Sequence, residues 1–188
     1  MTIRFQANRL AGNPIIVPNM DDRMGANING PSLIRTPEWL PNPRGKYYLY
    51  FGHHRGNYIR LAFADSLTGP WQTYEQGVLD LNDSFFEHHI ASPDVLIDED
   101  ERRLVMYFHG RHSADGPGQE TRVGVSDDGL TFRARPEVLE GLTSACSSTK
   151  SGATPSACLD TSAAPMTRSA ASRKGRRYCQ ITPATWRS

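Results

Sequence analysis

Six histidines, His53, His54, His88, His89, His109 and His112, fall within the first 112 residues, in company with Arg55, Arg60 and Arg111. A neutral imidazole offers one donor and one acceptor, a charged one offers two donors, and a guanidinium offers a fixed fork of donors. Such a set suits a hydroxyl-rich or anionic ligand, held by hydrogen bonds and charge. A metal site needs three or four converging ligands, and the chain holds no H-E-x-x-H or comparable spacing. The three cysteines, Cys146, Cys158 and Cys179, are odd in number and lack C-x-x-C spacing, so they suggest neither a disulfide framework nor zinc. No metal and no other cofactor is expected. The competing reading is that the histidines are solvated loop residues.

The segments that must position these groups read as strands and turns. Tyr47–Phe51, Tyr58–Ala64, Asp94–Ile97, Leu104–Phe108 and Thr121–Val125 are rich in aromatic and β-branched residues. Polar stretches with Gly and Pro lie between them, as reversing turns require. No 12-residue stretch keeps a helical apolar stripe, so the chain is expected to be all-β. The units also recur: Gly30-Pro31-Ser32-Leu33-Ile34 matches Ser92-Pro93-Asp94-Val95-Leu96 at an offset of 62, and Tyr50-Phe51-Gly52-His53 matches Tyr107-Phe108-His109-Gly110 at 57. A repeat of this length with three or four strands is the signature of a propeller blade; a β-sandwich is the alternative. His53 and His109 follow corresponding aromatic strands, which would aim both at one mouth of the ring.

Pro31–Arg35, Gly45–Phe51 and Ile59–Trp71 together resemble the first blade of five-bladed propeller glycoside hydrolases of the family 43 and family 117 type. Ala91-Ser92-Pro93-Asp94-Val95 is similar to their Ala-Pro-(Asp/Glu) segment, and Ser126–Phe132 to a shortened Asp-box turn. The resemblance covers about residues 13 to 140. It implies a five-bladed β-propeller truncated to about two blades, with a lead-in over 1–29, blade one over 30–88, blade two over 89–142 and a tail over 143–188.

Cleavage of a glycosidic bond needs two carboxyl groups, one protonating the leaving oxygen and one attacking or activating water. In the resembled enzymes the base lies in an Asp-Pro-x stretch of the first blade. Here that stretch is Asn29-Gly30-Pro31-Ser32, and an amide cannot take the proton, so Asn29 is expected to bind ligand. The third-blade acid would fall in the tail and is missing, so the chain as written is expected to lack activity. Asp94 is the remaining catalytic candidate, orienting hydroxyls or tuning a partner, although a turn beside Pro93 would use it equally well. Glu87 is a second carboxylate, and Asp21 and Asp22 lie in the lead-in. Sugar contacts are expected from Asn29, His53, His54, Arg60, His89 and His109, with Trp39 as a stacking platform. Most other aromatics belong between blades. The partner is a carbohydrate, either cleaved by the complete form or bound by a non-catalytic propeller.

Charge divides the chain. Before residue 143 there are 14 basic and 19 acidic residues, after it 7 and 1, and Ser, Thr and Ala fill 24 of the last 46 positions. Such a tail cannot bury enough surface to offset its ordering entropy, so disorder is expected. Translation in a shifted frame explains the abrupt break as well. A basic arm for nucleic acid, built on Arg168, Arg173, Lys174, Arg176 and Arg177, is the lesser alternative. Aliphatic runs reach only three residues, against the roughly 20 of a membrane span. With no apolar leader at Met1–Gln6, a cytoplasmic protein is expected.

Overall fold

The computed structural model describes residues 6–112 and 118–139. The expectations for the tail over 143–188, and its three cysteines, lie outside the described residues. Among the described residues, eight strands form two four-stranded sheets. The first contains β1 (Asn29–Arg35), β2 (Tyr47–Gly52), β3 (Tyr58–Ala64) and β4 (Gln72–Asp80). The second contains β5 (His89–Asp98), β6 (Arg103–Arg111), β7 (Glu120–Ser126) and β8 (Arg133–Ala134). Strand order follows chain order in both, and every pairing is antiparallel. Among the described residues the only helical turn is a 3-10 turn at Leu81–Asp83 that leads from one sheet to the next.

Strand periodicity decides the packing. Alternate residues point to opposite faces, so β2 sends Tyr48 and Tyr50 one way and Leu49 and Phe51 the other. Tyr48 and Tyr50 join Ile34, Ile59 and Leu61 in a core completed from the second sheet by Val95, Leu104, Met106 and Phe108. Leu49 and Phe51 form a second core with Ala62, Ala64 and Trp71, covered by Ile16 and Met24 of the lead-in. Burial of each large apolar side chain is worth about 1.5–3 kcal/mol. The buried phenols are satisfied as well: Tyr50 donates to the Gly129 carbonyl at 3.0 Å, and the Tyr48 hydroxyl accepts from the Arg44 N–H at 2.9 Å. Burial raises the pKa of both tyrosines, so they stay protonated.

The repeated Gly30-Pro31 and Ser92-Pro93 pairs are the physical joint between the sheets. Each begins a break in strand register, between Asn29 and Ser32 in β1 and between Ala91 and Asp94 in β5. Each has positive φ, +58° at Gly30 and +49° at Ser92. A Cβ on Gly30 would stand 2.8 Å from the Ser92 Cα, so glycine lets β1 come against β5 there. Across the same joint the Ser32 hydroxyl accepts from the Val95 N–H at 2.9 Å.

The Asp-box-like turn closes the second sheet. Asp128 Oδ1 accepts from the Leu130 and Thr131 N–H groups, each at 2.8 Å, and from the Ser126 hydroxyl at 2.9 Å. Burial pushes the Asp128 carboxyl up, but these bonds outweigh it and hold its pKa below the ordinary carboxylate value.

Candidate functional site

All six histidines lie at one end of the two sheets. Asn29 pairs with Gly52, His89 with Arg111, and Ala91 with His109, so the starts of β1 and β5 and the ends of β2 and β6 share that end. His53 and His54 follow β2, His88 precedes β5, and His112 follows β6. Two backbone fastenings bring these loops together. The Ile90 N–H donates to the Gly56 carbonyl at 2.9 Å, tying the β2–β3 loop to the start of β5. The Arg111 carbonyl accepts from the N–H groups of Glu87 and His88, at 3.2 and 3.0 Å.

A pocket of about 350 Å³ results, lined by His54, Arg55, His88, His89, Arg111, Gly118 and Gln119. None of these seven is a carboxylate. His54 is set by two amides: its N–H donates to Asn27 Oδ1 at 2.9 Å, and its Nδ1 lies 3.3 Å from Asn29 Nδ2, which has a hydrogen to donate. His53 turns back on its own loop, its Nδ1 accepting from the Arg55 N–H at 3.0 Å. His89 is only 4% exposed, its Nε2 lies 3.5 Å from the Gln119 amide, and its Nδ1 has no hydrogen-bond partner among the described residues. Its ring meets those of His88 and His109 edge to face, with centroids 5.5 and 6.4 Å away.

Burial lowers the pKa of His89 and His109, and repulsion between the charged forms of neighbouring basic side chains adds to it: His109, His88, Arg111 and His54 for His89, and His54 for His109. His53 is lowered by burial, then by Arg60 and His54. These three rings are therefore neutral at pH 7, while Arg55 and Arg111 bring guanidinium groups to the pocket lining. Among the described residues no three or more His, Cys, Asp or Glu side chains are grouped to hold a metal ion. The site offers positive charge, imidazole donors and acceptors, and amides.

The residues singled out from the sequence do not all gather here. His54 and His89 line the pocket, Asn29 supports His54, and His109 backs His89. Arg60 is a buried residue of β3, donating to the Asn27 carbonyl at 2.7 Å and packed over the rings of Tyr58 and Phe51. It therefore holds the turn that presents Asn27 to His54. Asp94 is exposed at the joint between β1 and β5, where Ser32 donates to it across a long 3.4 Å. Trp39 lies at the opposite end, in the β1–β2 loop, donating to Glu99 Oε2 at 2.7 Å and packing on the core between the sheets. Asp21 closes a turn of the lead-in by accepting from the N–H groups of Arg23 and Met24, at 3.0 and 2.7 Å.

Arg55, His88, Arg111 and Gln119 were not assigned to the site from the sequence alone. The first three sit in the histidine-arginine set noted there; Gln119 carried no signal. Arg122 was missed too, although it stands 62 residues after Arg60. It repeats that residue's character: buried, over the Phe86 ring at 4.8 Å, with one nitrogen 2.8 Å from His112 Nε2.

No family model matches the chain. Over 147 residues it is 33% identical to an uncharacterized protein of Acanthamoeba polyphaga mimivirus, a match spanning 69% of this chain and 41% of that one. Among solved structures it is similar to a GH43_1 enzyme of Xanthomonas citri complexed with xylotriose, with a TM-score of 0.49 and 19% identity over 61% of this chain and 33% of that one. It is also similar to an α-L-arabinofuranosidase of Clostridium thermocellum, with a TM-score of 0.42 and 26% identity over 59% and 34% of the two chains. The chain thus spans 41% of the length of the curated relative and about a third of these structures.

Proposed function

We propose that this chain is the carbohydrate-binding part of a glycosidase-like β-propeller and that, as it stands, it binds a sugar without cleaving it. The observation that carries this reading is the pocket itself, built from corresponding loops of two repeats and lined by imidazoles, guanidiniums and an amide, with no carboxylate among its described lining residues. Sugar hydroxyls pair well with such groups, because each can donate or accept as the neighbour demands. Its volume of about 350 Å³ lies within the range of small-molecule sites and admits one sugar ring. Hydrolysis needs a positioned acid and base, and Asn29 stands in the stretch where the resembled enzymes hold the base. Asp94, at the joint between the sheets, supports the β1–β5 contact rather than a reaction in this pocket.

The test is a glycan array followed by titration of the best ligand, with nitrophenyl glycosides to detect turnover. Saturable binding without turnover is expected. His54→Ala should weaken binding about tenfold, the scale of one lost hydrogen bond to a polar ligand. Trp39→Phe, at the far end, should leave it unchanged. Absence of glycan binding, or turnover by the chain alone, overturns the proposal.

A further inference from the structure

We propose that Asn29 is a site of self-deamidation: the Gly30 nitrogen closes on the Asn29 side chain, the amide is lost as ammonia, and a carboxyl group takes its place beside His54. This inference rests on the chemistry of β1 and stands apart from the carbohydrate reading. Asn29-Gly30 is the only Asn-Gly pair in the chain. A following glycine has no side chain to crowd the ring that must form. Gly30 and Pro31 also drop out of the β1–β2 ladder, whose paired register passes from Asn29 directly to Ser32. Asn29 is partly exposed, so water reaches it. Among the described residues its side chain makes one hydrogen bond, the long 3.3 Å contact from Nδ2 to His54 Nδ1.

Comparable positions are hindered or held. Asn27 is followed by the branched Ile28, and its Oδ1 accepts from the His54 N–H at 2.9 Å. Asn13 and Asn42 precede prolines, which have no N–H to give up. Asp128-Gly129 could close the same ring, but the Gly129 N–H donates to Ser126 Oγ at 2.8 Å, and Asp128 Oδ1 accepts from two backbone N–H groups. The reaction at Asn29 needs only water. The Gly30 nitrogen bonds to Asn29 Cγ, the Cγ–Nδ2 bond breaks, and Nδ2 leaves as ammonia with the proton that Gly30 gives up. Water then opens the cyclic imide at either carbonyl, giving aspartate or isoaspartate with no change of oxidation state. Both products lose the amide hydrogen that faces His54 Nδ1. In the aspartate an acceptor oxygen replaces that donor, so Nδ1 must turn from acceptor to donor.

The experiment ages the full chain for several days at neutral pH in heavy-oxygen water, then digests it in ordinary water. Conversion during ageing is thereby marked apart from conversion during digestion. The tryptic peptide spanning residues 24–35 holds both Asn27 and Asn29, so fragmentation compares them directly. Asn29 should gain the mass of an amide-to-acid exchange with one heavy oxygen, at least about tenfold faster than Asn27. Asp128 should show no isoaspartate. Nitrogen NMR of the His54 ring should report Nδ1 as an acceptor in the fresh chain and as a donor in Asn29→Asp. An unmodified Asn29 in the folded chain overturns the proposal, even where the urea-unfolded chain converts, because the joint then holds the Gly30 nitrogen away from the side chain. Conversion of Asn27 at the same rate overturns it too. An Nδ1 that remains an acceptor in Asn29→Asp overturns the exchange at His54.

Discussion

Gly30→Ala tests the joint on which the two sheets, and hence the pocket, depend. Two costs can be read from the structure. Gly30 has φ +58°, where an L residue pays about 1–2 kcal/mol in steric strain. The new methyl would also stand 2.8 Å from the Ser92 Cα and 2.9 Å from its Oγ. The hydroxyl can rotate away, but the Cα is backbone, so β5 must shift, and overpacking of this kind costs about 1–3 kcal/mol. The expected loss is about 2–5 kcal/mol, a large share of the roughly 5–15 kcal/mol that keeps a domain folded. Gly25→Ala separates the two costs: its φ is +69°, but nothing lies within 4 Å of a Cβ there. It should lose only the strain, about 1–2 kcal/mol. Urea unfolding followed by tryptophan fluorescence gives both losses, provided the slopes are equal. If Gly30→Ala costs no more than Gly25→Ala, β1 and β5 do not approach as described and the reasoning fails.

Tyr50→Phe should cost about 1–2 kcal/mol in the same assay, because the ring still packs but the Gly129 carbonyl loses its donor. Asp128→Asn should cost about 1 kcal/mol at pH 7, discounted for partial exposure. Because the folded pKa of Asp128 lies below 3.8, its contribution is present above that pH and is lost as pH falls through the folded value; urea midpoints between pH 5 and 2 should show less acid sensitivity in the variant. His53, His89 and His109 have folded pKa values below 6.5, so below that pH the unfolded chain binds more protons than the folded one. Stability should therefore decline from pH 7.5 to 5.5, and His89→Gln should flatten that decline; an unchanged slope would show that His89 is not held neutral.

Much of the scaffold is legible in the sequence because it follows from local, repeating rules. The alternation in Tyr47–Phe51 and Leu104–Phe108 assigns faces without knowledge of what covers them, and β2 and β6 use those faces as alternation requires. The Gly30-Pro31 and Ser92-Pro93 repeat marks two equivalent breaks in register. β4 was harder to read: Gln72–Asp80 is polar, lies at the sheet edge, and is interrupted at Gly77, whose φ of +73° accompanies a register shift against β3.

The site was decided elsewhere. Residue types nominated His54, His89 and Asn29, but equally nominated Arg60 and Trp39, which the fold assigns to a buried strand and to the far end. His54 and His89 meet because Gly56 accepts a hydrogen bond from Ile90, and Arg111 joins them because its carbonyl takes the N–H groups of Glu87 and His88. Strand propensity and side-chain alternation act between neighbours along the chain, so the sequence alone carries them. These fastenings join backbone groups that any residue possesses, across separations of tens of residues, so no side-chain pattern announces them and only the packed tertiary structure selects which loops converge.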